Sequence, residues 1–452
     1  MFKKIALTAV AFGLLVGSAS AGELNIYGAS AQYKFWSKAA STFLGAQTGC
    51  GTVNTAVTGK NYIAVCSTSG DTVRVTEAKS SEGVNSVQGA LTTGTTNTCS
   101  ANTHRVMASS IDFTSTPDAE TGHYAANTGC VDVNVGASDV AAATFNQTTY
   151  GVDNWAAGID TLEGPDGYQW WIFDASDTPV GPVNGGIEDD KKEAKELSIS
   201  EALYTPYRPV VVPFSFFVNA NVPVTDLTTN QVRNILSGKI NNWNRIISDL
   251  NGDGTADSND FPAGDSLPIQ VCGRHAGSGT LATLAAHVIR GEVAMGTQQS
   301  IPSDGYKNGA PVTTYLNTSS SDLMRCVGGN NGAIGYADSD KVDNVATDTD
   351  GPYGLAYTKD DDYGMIRKVA LDGLYSDRES IIDGGYGFWA AQWLYADDTQ
   401  LATDGSDTLL SALVSFASSN AGLVAAGKDV WWVAQDEMLF EKLDDFKLQT
   451  PK

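Results

Sequence analysis

The segment Arg274-His-Ala-Gly-Ser278-Gly279-Thr280 carries the residue types of an oxyanion-binding site. A strand is predicted to end at Arg274, and a helix is predicted from Leu281 to Ile289. The turn between them would present backbone N–H groups that lack partners inside the helix, at the positive end of its dipole. A guanidinium and hydroxyl donors beside such a terminus favour an oxyanion. Taken alone, Gly-Ser-Gly-Thr is also a common turn and helix cap, so that interpretation stays open.

Residues 249–260 have the spacing of a calcium-binding loop. Oxygen side chains occupy alternate early positions, a glycine at the sixth position permits the sharp turn, and the seventh residue would offer its carbonyl. The predicted ligands are Asp249, Asn251, Asp253, Thr255, Asp257 and Asp260. The loop resembles dockerin-type and thrombospondin-type calcium loops, and Pro262 follows at once, so no second EF-hand helix is apparent. We expect structural Ca²⁺ here; an acidic turn without metal is the alternative.

The elements that must position these groups follow an α/β pattern. Leu24–Tyr27 is predicted as a strand that meets a small-residue turn, and apolar residues from Tyr33 to Phe43 predict a helix after it. Residues 209–219 form an apolar run of the buried-strand type. Near the end of the chain we predict helical segments at about 386–396 and 406–418.

Residues 1–21 have the form of a secretory signal peptide, with Lys3 and Lys4 before an apolar stretch and a small-residue cleavage site. We therefore expect a soluble mature protein in the periplasm or outside the cell. The 452-residue chain has a net charge of −24. Such a field opposes binding to nucleic acid or an anionic membrane, whereas a small anion responds mainly to its own pocket.

The cysteine count is even, which suggests disulfides in an exported chain. Neighbours along the sequence favour the pairs Cys50–Cys66, Cys99–Cys130 and Cys272–Cys326. Six cysteines allow 15 pairings, so the set is one hypothesis among several, with Cys272–Cys326 the firmest pair because these two stand alone in the second half. No CxxC spacing supports zinc, thioredoxin-type or haem chemistry.

Residues 210–340 resemble the phosphate-binding receptors of bacterial ABC importers, the PstS-like periplasmic proteins. Val212–Asn219 resembles the crossover strand of that family, and residues 227–244 resemble its LTxxQLxxIFSGKITNWN segment. Arg274 with Ser278-Gly279-Thr280 matches its R-x-x-G-S-G-T motif, and Gly332–Tyr336 matches its return segment. Weaker matches precede this block, at Gly28-Ala-Ser30-Ala and Gly136-Ala-Ser138-Asp139.

The resemblance implies the α/β type II periplasmic-binding-protein fold: two lobes, two crossovers and a ligand cleft between the lobes. Lobe 1 would comprise residues 22–212 and 341–452, and lobe 2 would comprise 213–340. The calcium loop would be an insertion into lobe 2 away from the anion site. The chain is longer than a minimal receptor, mostly within 60–210, so lobe 1 would be elaborated.

Carried over by motif, Arg274, Ser278, Gly279 and Thr280 would bind the anion from lobe 2. Ser138 and Asp139 would face it from lobe 1, together with Ser30, Gln32, Tyr33 and Lys60. A buried Asp139 carboxylate accepts a proton from phosphate but repels sulfate, which has none. Asp112 is a competing match for this aspartate, and a loop-capping role for Asp139 is the structural alternative.

Three departures from the family pattern fall mainly on the lobe 1 half of the site. Gln32-Tyr33 replaces a Thr-Phe pair, Gly59-Lys60-Asn61 stands where a Gly-Ser-Gly turn is expected, and Ala276 replaces an acidic residue. Lys60 would add a second positive charge, which suits a more highly charged or organic phosphate.

The leading functional hypothesis is a monomeric binding protein that captures phosphate or a related oxyanion for the membrane subunits of an ABC importer, without catalysis. A phosphatase-like enzyme on the same fold is one alternative. An extracellular calcium-dependent interaction protein is the other.

Overall fold

The computed structural model describes fifteen segments of the chain, and all statements below concern these residues. They are 21–91, 97–146, 168–173, 179–183, 197–236, 240–246, 267–274, 278–289, 313–317, 319–342, 348, 351, 355–442, 445 and 447–452. The calcium loop 249–260 and residues 1–20 of the signal peptide lie outside the described residues.

Strands and helices alternate along much of the chain. The strands are β1 (Glu23–Ala29), β2 (Val53–Thr58), β3 (Asn61–Cys66), β4 (Thr72–Ala78), β5 (His104–Asp112), β6 (Tyr124–Asp132), β7 (Val135–Ser138), β8 (Tyr168–Phe173), β9 (Pro179–Val183), β10 (Tyr204–Tyr207), β11 (Val210–Asn219), β12 (Asp226–Leu227), β13 (Gln270–Arg274), β14 (Thr313–Asn317), β15 (Ala333–Asp338), β16 (Thr358–Asp360), β17 (Gly364–Leu371), β18 (Trp389–Ala391), β19 (Trp393–Asp397), β20 (Val433–Ala434), β21 (Phe440–Glu441) and β22 (Thr450–Pro451). The α-helices are α1 (Ser30–Gly45), α2 (Ser80–Val87), α3 (Thr229–Leu236), α4 (Gly279–Leu284), α5 (Ser320–Gly329), α6 (Arg378–Ile382), α7 (Asp398–Asp404), α8 (Asp407–Ala417) and α9 (Asn420–Ala426).

Two sheets form the centres of the two lobes. The first has the strand order β10-β19-β7-β1-β4-β3-β2-β6-β5, with β1 parallel to both β4 and β7. The second has the order β12-β17-β11-β15-β13-β14-β8-β9, with β13 parallel to both β14 and β15. Parallel central strands followed by helices define an α/β architecture, which confirms the predicted fold class.

Strand pairing divides the chain differently from the predicted lobe ranges. The β8–β9 hairpin pairs with β14, and β17 pairs with β11, so both join the second sheet. The family resemblance implies lobe 1 for these segments, as parts of 22–212 and 341–452. Pairing partners lie far away along the chain, which is why the sequence motifs did not indicate this arrangement.

The long strand β11 passes between the two lobes. Val210–Val212 pairs with β18 and β20, whereas Phe214–Val218 pairs with β15 in the second sheet. Every residue of β11 is buried. The apolar run at 209–219 predicted a buried strand, and the strand is covered on both faces. This strand also links the two lobes.

Helix α1 follows β1 directly and packs its apolar face on the first sheet. Its buried side chains recur at helical spacing and include Phe35, Trp36, Ala39, Ala40 and Phe43. The Phe35 ring stacks on Trp432 with ring centroids 5.6 Å apart, which ties the start of the chain to its last part. The predicted strand–turn–helix opening is confirmed.

The predicted helix near 386–396 is wrong, because this segment forms strands β18 and β19. Residues 388–396 are all buried. A run covered on both faces has no exposed positions to mark its period, so the residue pattern did not distinguish a buried strand from a helix. The second predicted helix, at 406–418, is confirmed as α8.

All three predicted disulfides are present. Cys50–Cys66, Cys99–Cys130 and Cys272–Cys326 are bonded, with Cα–Cα distances of 4.8, 5.6 and 6.0 Å. The last joins β13 to α5 inside the buried core of the second lobe. It therefore fixes the two elements that carry Arg274 and Ser320.

Over the part of the chain described, no single helix has the length and apolarity needed to cross a bilayer, although α8 and α9, bent by 87°, pass that test as a pair on length and composition alone.

Candidate functional site

Arg274 is the central cation of a cavity between the two lobes. It stands at the end of β13 and is 7 % exposed. Its Nη1 donates to Ser320 Oγ at 2.7 Å, and its backbone N–H donates to the Tyr336 hydroxyl at 3.2 Å. Burial lowers the pKa of Arg274, while Tyr336 and the carboxylate of Asp338 oppose that change. The guanidinium is thus held in place at the wall of the cavity.

Helices α1, α2, α4 and α5 all begin at this cavity. Ser30, Ser80, Ser278 and Ser320, at or next to their first turns, line it. Ser278 is the N-cap of α4, and its Oγ accepts a hydrogen bond from Leu281 N–H at 3.4 Å. Because each helix start has N–H groups without intrahelical partners and a partial positive charge, the four ends together create a strong preference for an anion.

Asp139 faces Arg274 from the first lobe, just after β7. It is 5 % exposed, and Ser80 Oγ donates to its Oδ2 at 3.1 Å. Its other oxygen, Oδ1, is also buried. Burial, and then the nearby Asp338 carboxylate, raise the pKa of Asp139 to about 7, although Ser80, Arg274 and Gln392 act in the opposite direction. Asp139 is therefore poised to accept a proton from a ligand.

The close approach of α2 to β7 places Ser80 beside Asp139. A Cβ atom on Gly83 would lie 1.9 Å from the carbonyl oxygen of Ala137, so only glycine fits at this point of α2. The first turn of α2 can therefore lie directly over the end of β7. The Ser80–Asp139 pair follows from that packing.

The two lobes are in contact at Gly279. A Cβ atom there would lie 2.4 Å from Ser80 Oγ and 2.6 Å from Asp139 Cβ. Gly279 belongs to the second lobe, while Ser80 and Asp139 belong to the first. The structure is therefore closed around the cavity, and a residue without a side chain is required where the lobes meet.

The size of the cavity limits what it holds. Its volume is about 50 Å³. One water molecule occupies roughly 10–15 Å³ by the same kind of measure, so the cavity accommodates about three to five waters. That volume suits a small oxyanion and is far below the several hundred Å³ of a typical cofactor pocket.

Six of the ten predicted anion-binding residues line the cavity: Arg274, Ser278, Gly279, Thr280, Asp139 and Ser30. Two others, Ser138 and Gln32, do not line the cavity but make hydrogen bonds next to it. Ser138 Oγ donates to Val140 O at 2.7 Å, and Gln32 Nε2 donates to the carbonyl oxygens of Ser138 and Trp393 at 2.8 and 3.0 Å. These contacts hold the end of β7 in position.

Lys60 and Tyr33 do not line the cavity. Lys60 is in the turn of the β2–β3 hairpin, its side chain is 63 % exposed, and its Nζ lies 2.7 Å from Glu77 Oε2. The proposed role of Lys60 as a second charge for the anion is therefore wrong. Tyr33 is half-buried on α1, and its ring centroid lies 6.0 Å from Lys60 Nζ. Asp112, the competing aspartate, is on the β5–β6 hairpin away from the cavity.

Six residues that also line the cavity were not predicted as site residues from the sequence; two are alanines, and the four polar ones are Lys79, Ser80, Ser320 and Asp338. A usable signal preceded α2, where a strand ends at Ala78 and Ser80-Ser81-Glu82-Gly83 opens a helix. This repeats the small-residue turn seen before α4. The family resemblance instead placed the expected turn at Gly59-Lys60-Asn61, which lies in the β2–β3 hairpin and not after β4. Asp338 and Ser320 had no local signal, because only strand pairing brings them to Arg274.

Several known proteins are similar to this chain. A family model described as a PBP superfamily domain matches residues 188–420. The phosphate-binding protein PstS of Bacillus subtilis (strain 168) is 24 % identical over 238 residues, which cover 52 % of this chain and 62 % of that protein. The chain thus spans less than two thirds of the length of this curated relative.

Two solved structures match this chain at low similarity. An ABC-type phosphate transport receptor from Vibrio cholerae is 18 % identical, with a TM-score of 0.33, over 51 % of this chain and 75 % of that one. A possible phosphate binding protein from Planctomyces limnophilus DSM 3776 is 10 % identical, with a TM-score of 0.35, over 93 % of this chain and 95 % of that one. The assignment of the fold rests on the family model and on the strand order.

Proposed function

The chain belongs to the PBP (periplasmic binding protein) superfamily, and from this premise we propose that it is an exported solute-binding protein that captures phosphate between its lobes. The observation that carries the proposal is the convergence of Arg274 and four helix N-termini on one small closed cavity. Donors from both lobes surround the ligand, so binding stabilises the closed form.

Asp139 supports phosphate over other oxyanions. Phosphate keeps at least one proton near neutral pH and can donate it to the Asp139 carboxylate. Sulfate has no proton, so its oxygen would face a buried carboxylate without a hydrogen bond between them. An uncompensated buried charge of this kind costs several kcal/mol, on the order of 2–5. Because burial raises the pKa of Asp139 to about 7, this discrimination against sulfate should be greatest above pH 7, where the side chain is ionised unless the ligand or the solvent supplies a proton.

We propose that the protein binds its ligand without turnover and delivers it to the membrane subunits of an ABC importer. Support comes from the family and from its curated relative, which is named as a phosphate-binding protein. Export to the periplasm or beyond is supported by the signal-peptide pattern of residues 1–21 and by the three disulfides, which persist in oxidising compartments. We expect a monomer, with Ca²⁺ in the loop 249–260 in a structural role.

The test is phosphate binding by the purified mature protein, measured by calorimetry and thermal shift. Arg274→Gln should weaken binding by roughly 100-fold or more, because a buried anion loses its charge-assisted partner. The matched control is Arg325→Gln, since Arg325 pairs with Asp322 on α5 and does not line the cavity. Absence of phosphate binding by the unaltered protein would overturn the proposal, and phosphoester turnover lost in Arg274→Gln would favour the enzyme alternative.

A further inference from the structure

Gln392 is the one side-chain amide in the buried run of residues 388–396. It is fully buried and lies between β18 and β19. A buried amide without a hydrogen-bond partner costs free energy that an apolar side chain of similar size would not. A polar residue that breaks the apolar pattern of its segment in this way indicates a role beyond packing.

Strand register places Gln392 beside Asp139. β19 is antiparallel to β7, with Trp393 opposite Ser138, so the next step along the same register brings Gln392 opposite Asp139. Directly opposed residues point their side chains to the same face, with Cβ atoms about 4.5–5.5 Å apart. Gln32 fixes this end of the register, because its amide donates to the carbonyl oxygens of both Ser138 and Trp393.

The Gln392 amide acts on the Asp139 carboxyl group as a hydrogen-bond donor. Burial, and then Asp338, raise the pKa of Asp139 to about 7, whereas Gln392 opposes that change, as Ser80 and Arg274 do. Among the residues described, neither side-chain amide atom of Gln392 makes a hydrogen bond to any other group. The Asp139 carboxylate is therefore the group that satisfies this amide.

The main chain on both sides of Gln392 is fixed. Its N–H donates to Val210 O at 2.9 Å, and β18 before it pairs with residues 211–213 of β11. After it, β19 pairs with β7, the strand that ends just before Asp139. An amide on such a support can hold a neighbouring carboxylate in one orientation.

We propose that Gln392 is a positioning residue of the anion site, whose amide donates to the ionised Asp139 carboxylate and directs it at the bound anion. Gln392 does not line the cavity, so it acts through Asp139. Ser80 donates to Asp139 Oδ2 from α2, and the two side chains together fix the carboxylate. This inference rests on the proposed function and adds to it the residue that orients Asp139.

The experiment is a double-mutant cycle on phosphate affinity at about pH 8.5, where Asp139, with a pKa of about 7, is mostly ionised in the free protein. Gln392→Met keeps the length of the side chain and removes the amide. It should weaken phosphate binding by roughly ten- to a hundredfold, because a hydrogen bond to a charged group is lost. In the Asp139→Ala background it should change affinity by about twofold or less, since no carboxylate remains to be positioned.

Gln449→Met is the matched control. Gln449 also contacts β18, where its Oε1 accepts from Trp389 Nε1 at 3.0 Å, but it does not line the cavity or act on Asp139. The same chemical change at this position should leave phosphate affinity unaltered.

The pH dependence of stability without phosphate is a second readout. The stabilising contribution of Asp139 is present below its unfolded pKa of 3.8 and is lost as the pH rises through the folded value of about 7. Gln392→Met removes a donor that lowers the folded pKa of Asp139, so the loss should extend to higher pH. Asp338 and Arg274, the charged groups that act on Asp139, stay in place. A packing role alone would lower the free energy of unfolding equally at every pH.

Phosphate affinity that is unchanged in Gln392→Met, or that falls equally with and without the Asp139 carboxylate, would overturn this inference. If Gln392→Met fails to fold, NMR of the unaltered protein with nitrogen-labelled glutamine decides. The side-chain amide signal of Gln392 should shift as the pH passes the titration of Asp139, and a signal that stays constant would overturn the inference. Failure of the unaltered protein to bind phosphate would instead count against the proposed function.

Discussion

Asp139 should make the ligand-free protein less stable as the pH rises, and Asp139→Asn should remove that dependence. The substitution keeps the shape of the side chain and removes its charge. The pKa of Asp139 rises from 3.8 to about 7 in the folded protein. A folded-state pKa of about 7 in place of 3.8 corresponds to about 4 kcal/mol, and the side chain is buried, so solvent screening is small.

The direction follows from proton binding. Because the folded-state pKa is raised, the folded protein holds the proton more tightly than the unfolded chain does. The contribution of Asp139 to stability is therefore fully present below the unfolded value of 3.8 and is lost as the pH rises through about 7. Relative to Asp139→Asn, the unaltered protein should lose on the order of 4 kcal/mol across this window and no more above it.

The assay is urea unfolding of both proteins without phosphate at several pH values across this window, with the difference in free energy of unfolding as the readout. Asp112→Asn is the control, because Asp112 is exposed on a hairpin and its pKa is lowered by hydrogen bonds from Thr114. A difference between the unaltered protein and Asp139→Asn that stays constant with pH would refute the reasoning. Added phosphate should restore stability to the unaltered protein more than to Asp139→Asn, and Asp139→Asn should gain affinity for sulfate.

Three further substitutions test other parts of the structure. Gly279→Ala should weaken phosphate binding by roughly ten- to a hundredfold, because the added Cβ blocks the approach of the lobes. Gly387→Ala is the control and should not weaken binding, since a Cβ there would meet no other described residue within 4 Å. Equal affinities of the two variants would show that closure does not depend on the Gly279 contact. Lys60→Ala should leave phosphate affinity unchanged, since its exposed ion pair with Glu77 is worth about 1 kcal/mol or less; a loss of affinity would return Lys60 to the site. Asp253→Ala should abolish any rise in melting temperature caused by Ca²⁺ without altering phosphate affinity. An unchanged response to Ca²⁺ would exclude the loop 249–260 as the calcium site.

The second-lobe half of the site was predictable because its groups are local in sequence. Arg274, Ser278, Gly279 and Thr280 lie on one strand, one turn and one helix start, so a single motif contains them. The first-lobe half was only partly predictable. Asp139 was found through Gly136-Ala-Ser138-Asp139, but Ser80 was missed because the expected small-residue turn was assigned to the β2–β3 hairpin.

The predicted element was right where one face meets water; of the segments buried on both faces, the strand at 209–219 was predicted correctly and the helix near 386–396 was not. The apolar face of α1 predicted a helix correctly, whereas residues 388–396 are buried throughout and form strands. A period is visible only when one face of an element meets water. The sequence did not indicate which sheet β8, β9 and β17 join, because strand pairing joins residues distant in sequence.

The sequence by itself determined the α/β class and the Arg274 half-site, because each depends on residue types and short spacings along the chain, and it favoured the three disulfide pairs without excluding other pairings. Tertiary structure decided which helix N-termini meet, that Asp338 joins Asp139 beside Arg274, and that Lys60 stays at the surface. The physical reason is that a closed anion site is made of groups from separate strands and helices. Their distances are fixed only when two sheets form and the lobes come into contact at Gly279.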